Sequence, residues 1–362
     1  MIDFQPSEEQ ELIVETVRQF AENEIRPAAR EADETTTPAA AVFAHAHELG
    51  LVANGLPEEH GGGGERCAVT GALIAEELAW GDLALALGIL SPGLSALPIA
   101  DFGTDAQKKE WLPRFAGSSF TPGSLAIVEP RFDSDSFRPA TTARLEGNEY
   151  VLDGAKCQVP WLEGDDDLIV IAADGDSAQG FLVSRSATGL KAEREQNMGV
   201  RGLPTAELQL EGVRVPREAR LGGDAGCDVR TLIARGRTAL AACAVGMARA
   251  AFEVSRDYAK QREAFGAPIA TKQAIAFKLA DMAIEIDGAR LLAWEAAWRL
   301  DQGADALREA TLAYQQARRV ALQVSDGAVQ VFGGHGYIRD YLPELHLRNA
   351  AGFGSFEALA LV

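Results

Sequence analysis

A chain of 362 residues, 47% hydrophobic and without a polar low-complexity tract, is long enough for two or three compact units or one large multi-layer domain, and has the composition of a globular protein. Its formal charge of -19 repels nucleic acid and anionic membranes, so an anionic ligand has to meet a local cluster of arginines. Four cysteines, Cys67, Cys157, Cys227 and Cys243, lie far apart without metal-ligand spacing, which argues against zinc and for reduced thiols in a cytosolic chain.

The amino terminus, MIDFQPSEEQ, carries no positive run ahead of an apolar stretch. No window reaches about 18 uninterrupted apolar residues, and a soluble, cytoplasmic protein is expected. Ser7 with Gln10 three residues on gives a capping-box pattern, and Ile13, Val17 and Phe20 follow at helical spacing. A second helical stretch runs from TTTP to HELG, the glycine-rich GLPEEHGGGGERC (55–67) reads as a loop, and ALIAEELAW opens helical patterning that continues to about Phe115.

Between 121 and 222 the period changes. ATTARLEGNEYVLDGAK is two alternating runs around Gly147-Asn148, and DLIVIAA, GFLVS and AELQLEGVRVP follow as short β-rich segments. No helix-length pattern separates them, which predicts a mainly antiparallel unit in place of a βαβ sheet. From about 225 to 350 long stretches with apolar residues three and four apart return, a set able to pack as a bundle. The order is α, then β, then α, with no internal repeat and neither a GxGxxG nor a GxxxxGK[ST] loop.

Three places invite chemistry. Glu357, in RNAAGFGSFEALALV, is the only carboxylate in the last eighteen positions; an acid near a chain end is ordinarily solvated, and context alone lowers that reading. QVFGGHGYIRD (330–340) sets two adjacent glycines after a helix, for close approach to a ligand or, equally, for a helix C-cap. YAKQREAFGAPI (258–269) places Arg262 near a helix end, where its fork suits phosphate and a plain surface arginine is the competing reading.

The strings RGRTALAACAVGMARAA, YAKQREAFGAPI, QAIAFKLADMA, QVFGGHGYIRDY and GLPEEHGGGG together resemble the acyl-CoA dehydrogenase family, in family order and over nearly the whole chain. The resemblance implies an α+β fold with an N-terminal helical domain (1–120), a central antiparallel β domain (121–222) and a C-terminal four-helix bundle (223–362). It implies FAD as cofactor, an acyl-CoA thioester as substrate, an electron-transfer protein as partner and a homo- or hetero-tetramer, with no nucleic-acid or membrane partner. In that chemistry a base removes the α proton while flavin accepts the β hydride. Glu357 matches the base, and an apolar setting is expected to raise its pKa. Arg262, Phe265, Gln330 and Gly334 match residues that hold the pyrophosphate and adenosine half of a neighbouring subunit's FAD. Arg237 matches a residue near the thioester, and Ser134, in DSD, a contact to flavin or CoA phosphates.

The chain departs from the family at the flavin ring. It has VEP (128–130) for TEP, so Val128 lacks a hydroxyl, and KCQVPW (156–161) for K-x-W-I-T-N, with Gln158 at the aromatic position and Pro160 at the threonine. EALALV replaces EGT and the helix after it, so Ala358-Leu359 does not obviously permit close backbone approach, and a less covered site is expected. A divergent dehydrogenase is the favoured reading. The alternatives are a half-site subunit of a mixed assembly, a flavin monooxygenase of the same fold, and a helical interaction protein without cofactor.

Overall fold

At Ser7 the expected capping box is formed. The Ser7 Oγ accepts from the Gln10 N–H at 3.2 Å, and the Gln10 side-chain oxygen accepts from the Ser7 N–H at 2.9 Å. The computed structural model describes residues 4–64, 66–164 and 167–362. From the cap, α1 (Glu8–Phe20) runs through a π turn (Ala21–Ile25) into α2 (Arg26–Thr35). Helix α3 (Ala40–Glu48) precedes the glycine-rich loop, and α4 (Ala68–Gly81), α5 (Leu83–Ile89), α6 (Pro92–Phe102) and α7 (Asp105–Phe115) complete this region.

Seven strands follow: β1 (Leu125–Ala126), β2 (Thr142–Glu146), β3 (Glu149–Pro160), β4 (Asp167–Asp174), β5 (Ser177–Ser184), β6 (Leu190–Arg194) and β7 (Thr205–Pro216). The Gly147-Asn148 turn joins β2 to β3 in a hairpin with Glu146 opposite Glu149, as the alternation predicts. The sheet order is β1-β4-β2-β3-β7-β6, with β5 beside β4. Four strand pairs are antiparallel, but β1 and β2 both meet β4 in parallel, so the antiparallel expectation holds for most of the sheet and fails where β4 meets β1 and β2.

Three long helices, α8 (Val229–Gln261), α9 (Gln273–Asp301) and α10 (Leu307–Phe332), and the short α11 (Pro343–Gly352) form the carboxy-terminal bundle, with a small hairpin of β8 (Glu263–Ala264) and β9 (Ala267–Pro268) after α8. Helix α8 has the length and apolarity to cross a membrane, yet 78% of its apolar window is buried inside the protein, as suits a core helix.

Helix α4 lies against α8 because Gly246 admits its backbone; a Cβ there would stand 2.0 Å from the Glu76 carbonyl oxygen. Glu76 and Glu77, both buried on α4, are met by Arg249 of α8 at 2.8 and 2.7 Å, by Arg290 of α9 at 3.1 Å and by Arg18 of α1 at 2.8 Å. Removing one partner of such a group leaves a buried charge unmet, typically costing about 3–5 kcal/mol. The first helical region and the bundle therefore share one core and fix each other's position.

Candidate functional site

Beyond α11 the chain turns inward, held by Tyr314 of α10, whose hydroxyl donates to the carbonyls of Phe353 and Phe356 at 2.7 and 2.8 Å. Burial, with Glu357 nearby, pushes the Tyr314 hydroxyl well above its ordinary pKa, so it stays a proton donor. Glu357 follows at once. Its carboxylate takes a two-pronged contact from Arg237 of α8, Nε to Oε1 at 3.1 Å and Nη2 to Oε2 at 2.8 Å, and Arg237 also donates to Thr311 Oγ1 at 2.7 Å. The side chains of Arg237 and Glu357 are 18% and 13% exposed. The expectation of apolar surroundings is thus corrected: Glu357 is sheltered, but it faces a guanidinium that α8 brings from 120 positions earlier. The ring of Phe137 packs near the same guanidinium, 5.7 Å from it.

The residues after Glu357 are buried without exception. Phe356, Leu359, Ala360 and Val362 join the helical core, whereas Ala358 and Leu361 join the core under the sheet, so this segment stitches the two together. Its carbonyl at Val362 accepts from Arg66 Nη2 at 3.0 Å and Arg235 Nη1 at 2.8 Å. Ala358 adopts the left-handed φ of 47° that suits glycine, and Gly236 of α8 makes room for it.

Beside this segment lies a cleft of about 200 Å³, lined by Gln158 of β3, Asn197, Val200, Ser355, Phe356 and Leu359 among others. Gln158 and Val200 are both left-handed, at φ 55° and 50°, and for branched Val200 that conformation is a true outlier. Hydrogen bonds impose it. The Val200 N–H donates to Asn349 Oδ1 at 2.7 Å and the Gln158 N–H to Glu195 Oε1 at 3.1 Å. The Gln158 carboxamide then crosses to the Ser355 hydroxyl at 2.7 Å, joining sheet to tail. Strain of this kind persists only where surroundings over-determine it, and it gathers at working sites. A second cleft, about 250 Å³, is lined by Phe4, Cys67, Leu73, Trp294 and Trp298 and holds none of these groups.

The other expected residues lie apart from Glu357. Arg262, Gln330 and Gly334 are exposed, and Phe265, at the β8–β9 turn with φ 55°, is 98% exposed. They share one end of the bundle, because Tyr258 near the end of α8 stacks on Phe332 at the end of α10 at 3.9 Å and donates to or accepts from His335 at 2.9 Å. Ser134 is exposed, its Oγ accepting the Glu129 N–H at 3.1 Å in the loop that carries Phe137. Val128 and Pro160 bring no side-chain donor, as read from the sequence. Between them Lys156, fully buried, pairs with Glu129 at 3.1 Å and with the Ile127 carbonyl, and burial lowers its pKa to about 8. Sequence pattern does not point to Thr311, Tyr314 or Ser355 as site residues, and it signals Gln158 only as a replaced aromatic.

Comparison with known proteins places this helix–sheet–helix scaffold among the flavin oxidoreductases. Residues 7–119 match the acyl-CoA dehydrogenase N-terminal domain and residues 228–357 the acyl-CoA dehydrogenase C-terminal domain. The chain is 38% identical to the probable acyl-CoA dehydrogenase YngJ of Bacillus subtilis, over 100% of this chain and 98% of that protein. Its structure resembles butyryl-CoA dehydrogenase from Megasphaera elsdenii, with a TM-score of 0.88, 30% identity and coverage of 98% and 96% of the two chains. It also resembles a glutaryl-CoA dehydrogenase from Mycobacterium smegmatis solved with FADH2, with a TM-score of 0.88, 27% identity and coverage of 97% and 91%. The chain belongs to the acyl-CoA dehydrogenase family.

Proposed function

We propose that this protein is an FAD-dependent enzyme that oxidises the α,β bond of an acyl-CoA thioester, with Glu357 as the base. The observation that carries the reading is the two-pronged hold of Arg237 on the sheltered Glu357 carboxylate, within the segment whose Phe356 and Leu359 line the cleft. The cofactor is FAD, and the polar side chains of Gln158, Asn197 and Ser355 on the cleft wall offer the hydrogen-bonding groups that suit its ring. At about 200 Å³ the cleft is smaller than the roughly 300 Å³ at which ligand pockets usually begin, a space for a ring more than for ring and thioester together.

Bound flavin supplies the acceptor for the β hydride. The protein's part is to set the base. Glu357, held in its pair with Arg237, takes the α proton, while Arg237 keeps its hold on Thr311 and stays in place at the reacting end. The Tyr314 hydroxyl fixes the carbonyls on either side of the turn that presents the base.

Arg262, Phe265, Gln330 and Gly334 hold the pyrophosphate and adenosine half of FAD in a neighbouring subunit, a role supported by their exposure at one bundle end. That arrangement requires a second subunit, within a homo- or hetero-tetramer, and the exposed Phe277, Ile284 and Leu291, seven residues apart on α9, favour assembly. Ser134 contacts a phosphate of flavin or CoA, an electron-transfer protein reoxidises the flavin, and the protein works in the cytoplasm. The domains are taken as 1–120, 121–222 and 223–362.

The lost hydroxyl at Val128 and the proline at Pro160 favour a second reading, a subunit that completes a partner's flavin site without turning over itself. Glu357→Gln separates the two. The first reading predicts a loss of turnover of about 10²–10⁴-fold with FAD retained; unchanged turnover removes Glu357 from the mechanism.

A further inference from the structure

We infer that Phe137 is a positioning residue for the base: its ring, carried by the loop between β1 and β2, holds the Arg237 guanidinium in the orientation that aims Glu357. The inference rests on the reading of Glu357 above and adds to it a side chain that the sheet region contributes.

The loop departs at Glu129 and returns at Ala140, and Glu129 closes its neck. The buried Glu129 carboxylate accepts the Ala140 N–H at Oε2 and the Thr141 N–H at Oε1, at 2.9 and 2.7 Å. The same Oε1 takes the Lys156 ammonium at 3.1 Å, and that ammonium also donates to the Ile127 carbonyl at 3.1 Å, so β3 grips the chain just ahead of the loop. Inside the loop the Glu129 N–H donates to Ser134 Oγ at 3.1 Å, and Asp135 Oδ1 accepts the Phe137 N–H at 2.9 Å, an Asx turn that fixes the backbone from which the ring projects. Tied at its neck and at its turn, the loop has little freedom left to lose when the ring docks.

The ring meets a guanidinium whose edges are taken. Arg237 gives Nε and Nη2 to Glu357 and Nη1 to Thr311, bonds directed from the rim of its flat fork. The faces remain, and the guanidinium stands over the Phe137 ring, its carbon 5.7 Å from the ring centre. A ring attracts a guanidinium at that distance, more strongly where water is scarce, and the Arg237 and Glu357 side chains are largely sheltered. Tilting the fork would break its two-pronged contact with Glu357, and the ring lies where it resists the tilt.

The test compares wild type with Phe137→Leu, which keeps apolar bulk without the ring, and Phe137→Tyr, which keeps the ring. Each is loaded with FAD, and bleaching of the flavin by butyryl-CoA and longer acyl-CoA thioesters without oxygen gives a rate at saturation and a half-saturating concentration. The inference predicts for Phe137→Leu a saturating rate lowered about fivefold, with half-saturation and bound FAD per chain within about twofold of wild type, and for Phe137→Tyr the wild-type rate. In the FAD-free proteins, denaturant unfolding of Phe137→Leu, Arg237→Met and the double variant should show coupling, the double variant's unfolding constant being about threefold below the product expected from the singles. A wild-type rate in Phe137→Leu, a Phe137→Tyr as slow as Phe137→Leu, or a raised half-saturation at unchanged rate overturns the inference, as do unfolding effects that simply multiply. If no thioester bleaches wild type, the functional reading fails and the role at the base fails with it, while the unfolding cycle still decides whether the ring holds the guanidinium.

Discussion

At the scale of single residues, Ala358 carries strain in plain view. An L-residue in the left-handed region costs roughly 1–2 kcal/mol, part of which glycine recovers at the expense of a looser unfolded chain. With φ at 47° and Gly236 already making space, Ala358→Gly is expected to raise stability by about 0.5–1 kcal/mol, read as a higher denaturant midpoint at unchanged slope. An unchanged or lower midpoint would mean that the Ala358 methyl's packing in the core under the sheet outweighs the strain. The sequence gives Glu357 away by its isolation but hides its setting, because Arg237 lies 120 positions distant and Ser355, which orients Gln158, lies 197 positions from it. Local pattern carries residue types; it does not carry contacts of that separation.

Among the elements, α11 is the one that delivers the tail to the site, and its anchor is titratable. His346 is fully buried on α11, and burial, with Arg26 nearby, lowers its pKa to about 3. The folded protein keeps the imidazole neutral, while the unfolded chain takes a proton below its ordinary 6.5. The stability tied to this residue is therefore complete above 6.5 and is lost as pH falls from there towards about 3, at roughly 1.4 kcal/mol per pH unit. Equilibrium unfolding of wild type and His346→Leu across that window checks the sign: the variant should show a flatter acid limb, and parallel curves would refute the assignment. Helix boundaries near α11 were partly legible, since a glycine pair follows α10, but the parallel contacts of β1 and β2 with β4 were not; alternation of side chains reveals a strand and leaves its partner unstated.

For the whole molecule, the order of helices, sheet and helices was legible from the change of hydrophobic period, because period follows directly from backbone geometry. What the period leaves out is assembly. Arg262, Phe265, Gln330 and Gly334 sit at a bundle end, away from their own chain's Glu357, so Arg262→Ala is expected to weaken FAD retention about tenfold or more while melting stays within about 0.5 kcal/mol of wild type, as for a surface change. Full retention in the variant, measured by flavin absorbance after gel filtration, would return Arg262 to an ordinary surface role. The central claim is tested most directly by mixing the FAD-loaded protein with butyryl-CoA and longer acyl-CoA thioesters without oxygen and following the visible flavin absorbance. Bleaching in wild type, slowed by about 10²-fold or more in Glu357→Gln, is the predicted result; a flavin that stays oxidised with every thioester, or that bleaches equally fast in Glu357→Gln, would contradict it.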